Sequence, residues 1–529
     1  MTDSWGPLDR LVGLAESLAG AWGARARAST TVGQERAILR LFGVHGLDAS
    51  GRPLAGTTVD RWLATDPRGL GAGITLPFAM ALLEYDLEPQ QLALDVASGA
   101  VDLGLEAALL REPDRRTAAE TEARRLAAAA IARIDAERTA RNETMGMLGD
   151  VPRPWLGATL RQPDEDLALE EGAAIVAAGL DLIEIEVPIG RELAAGLGAA
   201  GLDVPEWRPR EGSRGAPGRE LADPAPIGSQ RALAMLRAAV DQAGAERRRY
   251  IRLSTVVPAL GSPEGAVVAA FERIDLIVAD LLEEIVADGV EPDRALADHA
   301  FAHRLACRAG TAVVVGPGPL VVAPDLAAGV PSDPATRAGR ALALQLIGVI
   351  LARSDGLAAD QIVLGALPPW VADEPAPGAR AIAEVSVRRA LFPGHPFAFT
   401  EPPLQGAALG LWPHVQAAAA VHAGDAAFVM RQHAQWPGDH ATVAALRAGS
   451  AMAAEVAAAA PPGPLAGLAL THARAMIVAA IVTVEGLADH GWRTVAGDMH
   501  GGRALGGRDA VAERTEAFDA LAGVIGPRG

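Results

Sequence analysis

The stretch RYIRLSTVVPALGSPEGAVVAAFERIDL, residues 249–276, decides the fold. It opens charged, and Ile251, Leu253, Thr255, Val256 and Val257 then form a largely β-branched string that fits a strand. Pro258 and Gly261-Ser262-Pro263 break that string, and an Ala/Val/Phe pattern of helical spacing follows. The whole reads as one strand–helix unit. Upstream LDLIEIEV (180–187) and downstream TAVVVG (311–316) and QIVLG (361–365) repeat the form. Strands alternating with helices imply a parallel sheet, and about eight such units close into a TIM-type (β/α)8 barrel.

Working outward, strands are expected near 155–160, 180–187, 249–257, 274–279, 311–316, 361–365 and 396–400. Residues 1–150 read as a helical N-terminal extension, 151–415 as the barrel core, and 416–529 as a helical C-terminal region with a glycine-rich tail. In the extension, TTVGQERAILRLFGVHGLD (30–48) places Thr31 to cap a helix with Gln34 three positions on, a capping-box arrangement. Gly43 and Gly46 end that helix. The segment 200–228, rich in Gly, Pro, Arg and Asp, is too long for a simple connector and reads as a lid, a contact surface or a surface excursion.

Half of the 529 residues are apolar, enough for a large core, and the formal charge of −18 argues against a nucleic-acid partner. All 47 basic residues are arginine. The chain therefore cannot form a Schiff base through a lysine side chain of its own, and its arginines suit phosphate or carboxylate binding better than base catalysis. The single cysteine, Cys307, rules out an intramolecular disulfide and fits a reducing compartment. With no secretory leader pattern and no uninterrupted apolar run of spanning length, the sequence reads as cytoplasmic, without membrane partners.

The strand LDLIEIEV puts Glu184 and Glu186 on one face and Ile183, Ile185 and Val187 on the other. Carboxylates on a doubly covered strand need partners. They fit either ion pairing with arginines inside the barrel or binding of a substrate amine at the strand's end. His299, His303 and Cys307 recur every four residues on one helical face. The glutamate that accompanies the first histidine of a metallohydrolase is missing, so packing is the reading and no metal site is assigned. Asp498-Met499-His500-Gly501-Gly502-Arg503 carries arginine where the cobalamin-ligand pattern D-x-H-x-x-G ends in glycine. No Walker loop, G-x-G-x-x-G, G-x-S-x-G or paired C-x-x-C occurs, which points to a cofactor or partner.

Taken together, TTVGQERAILRLFGVHGLD, GAERRRYIRLSTVV (244–257), AAFERIDL (269–276), RRALFPGHPFAFTEPP (388–403) and DMHGGRALGGRD (498–509) resemble the α subunit of lysine 5,6-aminomutase, and the related ornithine 4,5-aminomutase barrel is similar. The resemblance implies a TIM-type barrel with a helical extension, in a hetero-oligomer with a smaller β subunit. That partner would carry the cobalamin domain and the lysine that binds pyridoxal phosphate. The implied reaction is a radical 1,2-shift of an amino group on a small amino acid, driven by adenosylcobalamin. The family's cofactor-phosphate arginine, serine and tyrosine fall here on Val187, Glu192 and Gly196, its pyridine-side serine on Pro258, its stacking tyrosine on Glu283 and a further phosphate arginine on Asp288. Its substrate-binding aspartate and lysine fall near Pro319 and on Ala398. If pyridoxal phosphate binds, Arg191, Ser254 and Thr255 are the residues expected to hold it. The alternative is a divergent paralogue without the pyridoxal phosphate and lysine site, serving another cobalamin-linked reaction or a partner-binding role.

Overall fold

The computed structural model describes residues 8–66, 68–160, 165–185, 230–257, 261–279, 281–286, 290–316, 333–365, 377–401, 426–431, 467–492 and 511–515. The N-terminal extension comprises α1 (Leu8–Ala28), a short strand β1 (Ser29–Thr31), α2 (Val32–Leu41), α3 (Leu54–Thr65), α4 (Thr75–Tyr85), α5 (Pro89–Ser98), α6 (Leu103–Leu109) and the long α7 (Pro113–Leu148). The barrel then runs β2 (Trp155–Leu160), α8 (Glu165–Ala177), β3 (Leu182–Ile185), α9 (Gln230–Arg247), β4 (Arg252–Val256), α10 (Ser262–Phe271) and β5 (Leu276–Val278). It continues through α11 (Leu281–Val286), α12 (Pro292–Ala309), β6 (Ala312–Val315), α13 (Pro334–Ser354), β7 (Ile362–Leu364), α14 (Pro377–Leu391), β8 (Phe397–Glu401) and β9 (Ala426–Arg431). Helix α15 (Gly467–His490) and strand β10 (Val511–Glu513) complete the described elements.

Strands β2 to β9 pair in parallel in chain order, and β9 returns to β2, so the sheet is a closed eight-stranded barrel. The seven expected strands are all present. The eighth, β9, lies beyond residue 415, in the stretch read as helical, and the barrel core extends at least to Arg431. AAFVMR is a short apolar run, and periodicity alone does not separate a short buried strand from a helical turn. The segment 200–228 and the glycine-rich 493–510 lie outside the described residues.

Alternation along the strands sorts the core into two clusters. Ile183, Ile185, Leu253, Ile277, Val313 and Leu364 belong to the large core beneath the helices. Leu182, Leu276, Val314, Val363 and Ala398 form a second cluster inside the barrel, with Trp155 and Val151 at its lower end. The lumen is therefore packed with side chains, as barrels of this size require.

Thr31 caps α2 as expected, its hydroxyl accepting from the Gln34 amide at 3.0 Å. Gln34 does not complete the capping box. Its amide donates to the Ala297 carbonyl (2.8 Å) on α12, and its carbonyl accepts from Arg514 (3.0 Å). The same segment anchors the extension by ion pairs: Arg36 and Arg40 of α2 meet the two carboxylate oxygens of Glu264 on α10, all three buried. At the far end of the extension, Arg141 of α7 donates to the carbonyls of Ala309 (2.9 Å) and Gly310 (2.8 Å), closing the C-terminus of α12. Strand β1 pairs antiparallel with β10, Ser29 facing Glu513 and Thr31 facing Val511.

Helices α13 and α15 are long and apolar enough to span a membrane by length and composition, although charged residues interrupt both. Packing accounts for the composition of α13, whereas α15 leaves Leu468, Val478 and Val482 exposed. Helix α13 is almost wholly buried, and α15 lies against it so closely that a Cβ on Gly339 would come within 2.5 Å of the Ala479 Cβ.

Candidate functional site

The lumen is layered. At its N-terminal end the Arg252 guanidinium stacks 3.7 Å over the Trp155 ring and pairs with Asp150, while the Trp155 indole donates to the Val151 carbonyl at 3.0 Å. This is a floor. In register with Arg252 and Ser254 stand Leu182 and Leu276, members of an apolar cluster that also holds Val314. Toward the C-terminal ends, where barrel enzymes place their chemistry, the lining becomes polar. Thr159 of β2 pairs in register with Glu184 of β3, and Glu184 with Ser254 of β4. At the same end, Val256 and Val278 are half-buried.

Three facts define the row. Thr159, Glu184 and Ser254 share the inward parity of Trp155, Leu182 and Arg252. All three are buried, at 1%, 5% and 0% exposure. The hydroxyls of Thr159 and Ser254 find no hydrogen-bond partner among the described residues. A hydroxyl carries two acceptor lone pairs and one donor, and burying it unmet costs about 1–3 kcal/mol. Thr255, on the opposite face of β4, shares this lack, so an unmet hydroxyl does not by itself set the lumen row apart.

Of the expected site residues, Glu184 and Ser254 are brought together on neighbouring strands. Thr255 is not. It has the parity of Leu253 and Val257, and Val257 packs against α10, where a Cβ on Gly265 would lie 2.9 Å from it. Thr255 therefore faces the helical layer and cannot join Ser254 at a lumen-bound phosphate, because adjacent strand residues point to opposite faces. Glu186 and Arg191 lie outside the described residues, as do Val187, Glu192, Gly196, Pro258, Asp288 and Pro319. Ala398 is buried inside the lumen. Thr159 carried no signal of its own in the sequence, since only strand pairing sets it beside Glu184.

The His299, His303 and Cys307 stripe separates into unrelated contacts. His303 Nδ1 is 3.0 Å from Asp355, and the Cys307 thiol donates to the Gly356 carbonyl at 3.1 Å, with burial pushing that thiol up in pKa. His299 Nε2 lies 3.2 Å from Glu284 and 3.3 Å from the Ser262 hydroxyl, which also donates to Glu284 at 3.1 Å. Serine and glutamate address the same ring nitrogen, so histidine cannot act as base toward one while the other orients its second nitrogen, and a nucleophilic triad does not form. The trio ties α10, α11 and α12 together. Among the described residues no three His, Cys, Asp or Glu side chains are arranged to hold a metal ion.

Near the upper ends of β6 and β7 the backbones touch, a Cβ on Gly316 falling 2.8 Å from the Gly365 Cα. The buried Arg388 of α14 donates to the Gly365 carbonyl at 2.6 Å. Burial lowers its pKa to about 10, against the opposing charge of Glu384. Arg388 braces the barrel wall from outside the lumen.

Residues 8–407 match the family described as the D-lysine 5,6-aminomutase TIM-barrel domain of the alpha subunit. The lysine 5,6-aminomutase alpha subunit of Fusobacterium nucleatum subsp. nucleatum is 26% identical over 381 residues, which cover 71% of this chain and 66% of that protein. The corresponding subunit of Acetoanaerobium sticklandii is 26% identical over 337 residues, covering 64% of this chain and 59% of that protein. The matched region thus spans just under two-thirds of the length of these relatives.

Proposed function

This chain belongs to the lysine 5,6-aminomutase alpha-subunit family, and on that premise we propose that it is the barrel subunit of an adenosylcobalamin-dependent aminomutase complex acting on a diamino acid. Its partner is a separate cobalamin-binding β subunit that also brings the lysine for pyridoxal phosphate. The family match over residues 8–407 carries this reading. The absence of lysine among the 529 residues supports the division of labour, because the covalent anchor of an amine-binding aldehyde has to come from another polypeptide. This chain's own contribution is positional: a floor of Trp155 and Arg252, an apolar layer that keeps water from the lower lumen, and a polar row that orients a bound molecule.

The described lumen does not fit the phosphate of pyridoxal phosphate. Of the residues expected to hold it, Ser254 is the one among those described that faces the lumen, and Thr255 faces away. That misfit, with Val187, Glu192, Gly196 and Pro258 at the family's cofactor positions, favours a second reading: a paralogue that keeps the barrel and the cobalamin-bearing partner but has lost the pyridoxal phosphate site.

The test is an absorbance titration of pyridoxal phosphate into the chain alone, the β subunit alone and the two together. A shift of the cofactor band that requires both supports the first reading. Complex formation with no difference from the β subunit alone selects the second.

A further inference from the structure

We propose that the face of the helical extension formed by α4 and α6, centred on Tyr85, Leu105 and Glu106, docks a partner protein that sets arginine or lysine side chains among apolar ones. The inference goes beyond the reading above and rests on it only for naming that partner as the β subunit.

Charge and exposure coincide there. Between Arg68 and Arg111 the sequence carries six carboxylates and no basic residue. The same stretch holds four of the ten large apolar side chains that are exposed among the described residues, Leu83, Tyr85, Leu94 and Leu105, the last at 67%. The Tyr85 hydroxyl at the end of α4 donates to Oε1 of Glu106 on α6 at 3.1 Å, and Leu105 precedes Glu106 on that helix. Burial above all, and then the charges of Glu84 and Asp102, push the Glu106 carboxyl up in pKa, against the Tyr85 hydrogen bond and Arg115. Glu84 and Asp102 thus border the same spot. A second observation shows what is missing. Glu106 is 4% exposed, its Oε2 has no hydrogen-bond partner and no ion pair reaches it among the described residues, since Arg115 bonds Glu84 at 2.8 Å and Glu112 at 3.1 Å. Glu284 also leaves an oxygen unmet, but His299 lies 3.2 Å from its other one. A buried carboxylate needs a donor, and a guanidinium or ammonium group makes the strongest bond to it. Carboxylates around exposed apolar side chains repel nucleic acid and anionic membranes, and a two-fold contact with a second copy would set the same carboxylates face to face. A basic, apolar protein surface is complementary on both counts.

Fluorescence anisotropy with the full-length purified chain tests the face against three labelled helical peptides, one of leucine and arginine, one of leucine and glutamate, and one of glutamine and arginine. The first should bind, the second should not, and the third should bind about tenfold more weakly than the first. Tyr85→Ser with Leu105→Ser should weaken the first about tenfold and Glu106→Gln several-fold, whereas Val478→Ser with Val482→Ser, on the exposed face of α15, should change nothing. Far-ultraviolet dichroism and melting temperature establish that each variant is folded, and Glu106→Gln, which keeps an acceptor for Tyr85, keeps the test decisive if the double variant does not fold. No binding of the first peptide, equal binding of the first and third, or binding indifferent to Glu106→Gln and to the Tyr85 and Leu105 pair would each overturn the proposal. The same variants are then titrated with the β subunit. Weakened binding supports the proposal, and binding that they leave unchanged overturns it while the aminomutase reading stands. Variant-sensitive peptide binding with no binding of the β subunit to the wild-type chain upholds the face and refutes that reading.

Discussion

Nε of Arg40 on α2 lies 2.5 Å from Oε1 of Glu264 on α10, with both side chains buried and 224 positions apart in sequence. Arg36, one turn earlier, approaches the other carboxylate oxygen at 3.0 Å. This glutamate is one of the ties that hold the helical extension to the barrel. Removing one member of a buried ion cluster leaves charge stranded in low dielectric, at about 3–5 kcal/mol. Glu264→Ala should lower the unfolding free energy by that amount in urea denaturation. A loss below about 1 kcal/mol would mean that water already reaches the two guanidinium groups.

Arg141 makes a second attachment, donating to the last carbonyls of α12. A cation at a helix C-terminus is favourable, and while Nη2 donates to both of these carbonyls, Nη1 of the same fork reaches the Ile274 carbonyl at 3.5 Å. Arg141→Ala should cost about 2–3 kcal/mol. Arg141→Lys, which keeps the charge but loses the fork, should recover less than half. Full recovery by lysine in thermal melts would show that charge alone matters.

The loop after α2 supplies a pH signature. Burial pushes the Asp48 carboxyl up, but hydrogen bonds from Ser50, Thr57 and the Arg52 amide outweigh it and lower the pKa from 3.8 to about 2. A carboxyl depressed in the folded state stabilises the protein above its unfolded pKa, and that contribution is lost as pH falls through the folded value. Asp48→Asn should therefore melt below wild type at pH 6, and the gap should close between about pH 4 and pH 2. A gap that stays constant over this range would remove the carboxylate's charge from the explanation.

How much of this was legible in the sequence differs by level. The barrel was readable because Gly and Pro bound each apolar string, as at Pro258 and Gly261 after β4. β9 was missed because six residues, AAFVMR, among alanine-rich neighbours carry too little periodicity. Thr31 as a cap is a local effect and was visible, whereas the partners of Gln34, Ala297 and Arg514, are distant in sequence. At the site, Ser254 and Thr255 look equivalent in a β-branched string. Only pairing with β3 and packing against α10 decide which one faces the lumen. Glu184 was visible as an odd charge in an apolar strand, and Thr159 gained its meaning from register alone.

The contact of α13 with α15 predicts a steric effect. A methyl group on Gly339 would meet the Ala479 Cβ at 2.5 Å and the Met476 carbonyl at 2.6 Å. Gly339→Ala should destabilise by about 1–3 kcal/mol through overpacking. Adding Ala479→Gly should restore part of the loss, since it removes the nearest atom but not the carbonyl. Strict additivity of the two changes in a double-mutant cycle would refute direct contact.

The pairing of β1 with β10 sets a timetable for the newborn chain. Arg514 reaches Gln34 across 480 residues, an interval that takes a ribosome roughly 25–100 s to translate at 5–20 residues per second. By the end of that wait every barrel strand up to β9 has been synthesised, while β1 still lacks β10 and the Gln34 carbonyl its arginine. The extension, tied earlier to the barrel through Glu264 and Ala297, thus gains its last strand partner late, and nascent chains paused before residue 511 would present that unpaired edge to chaperones.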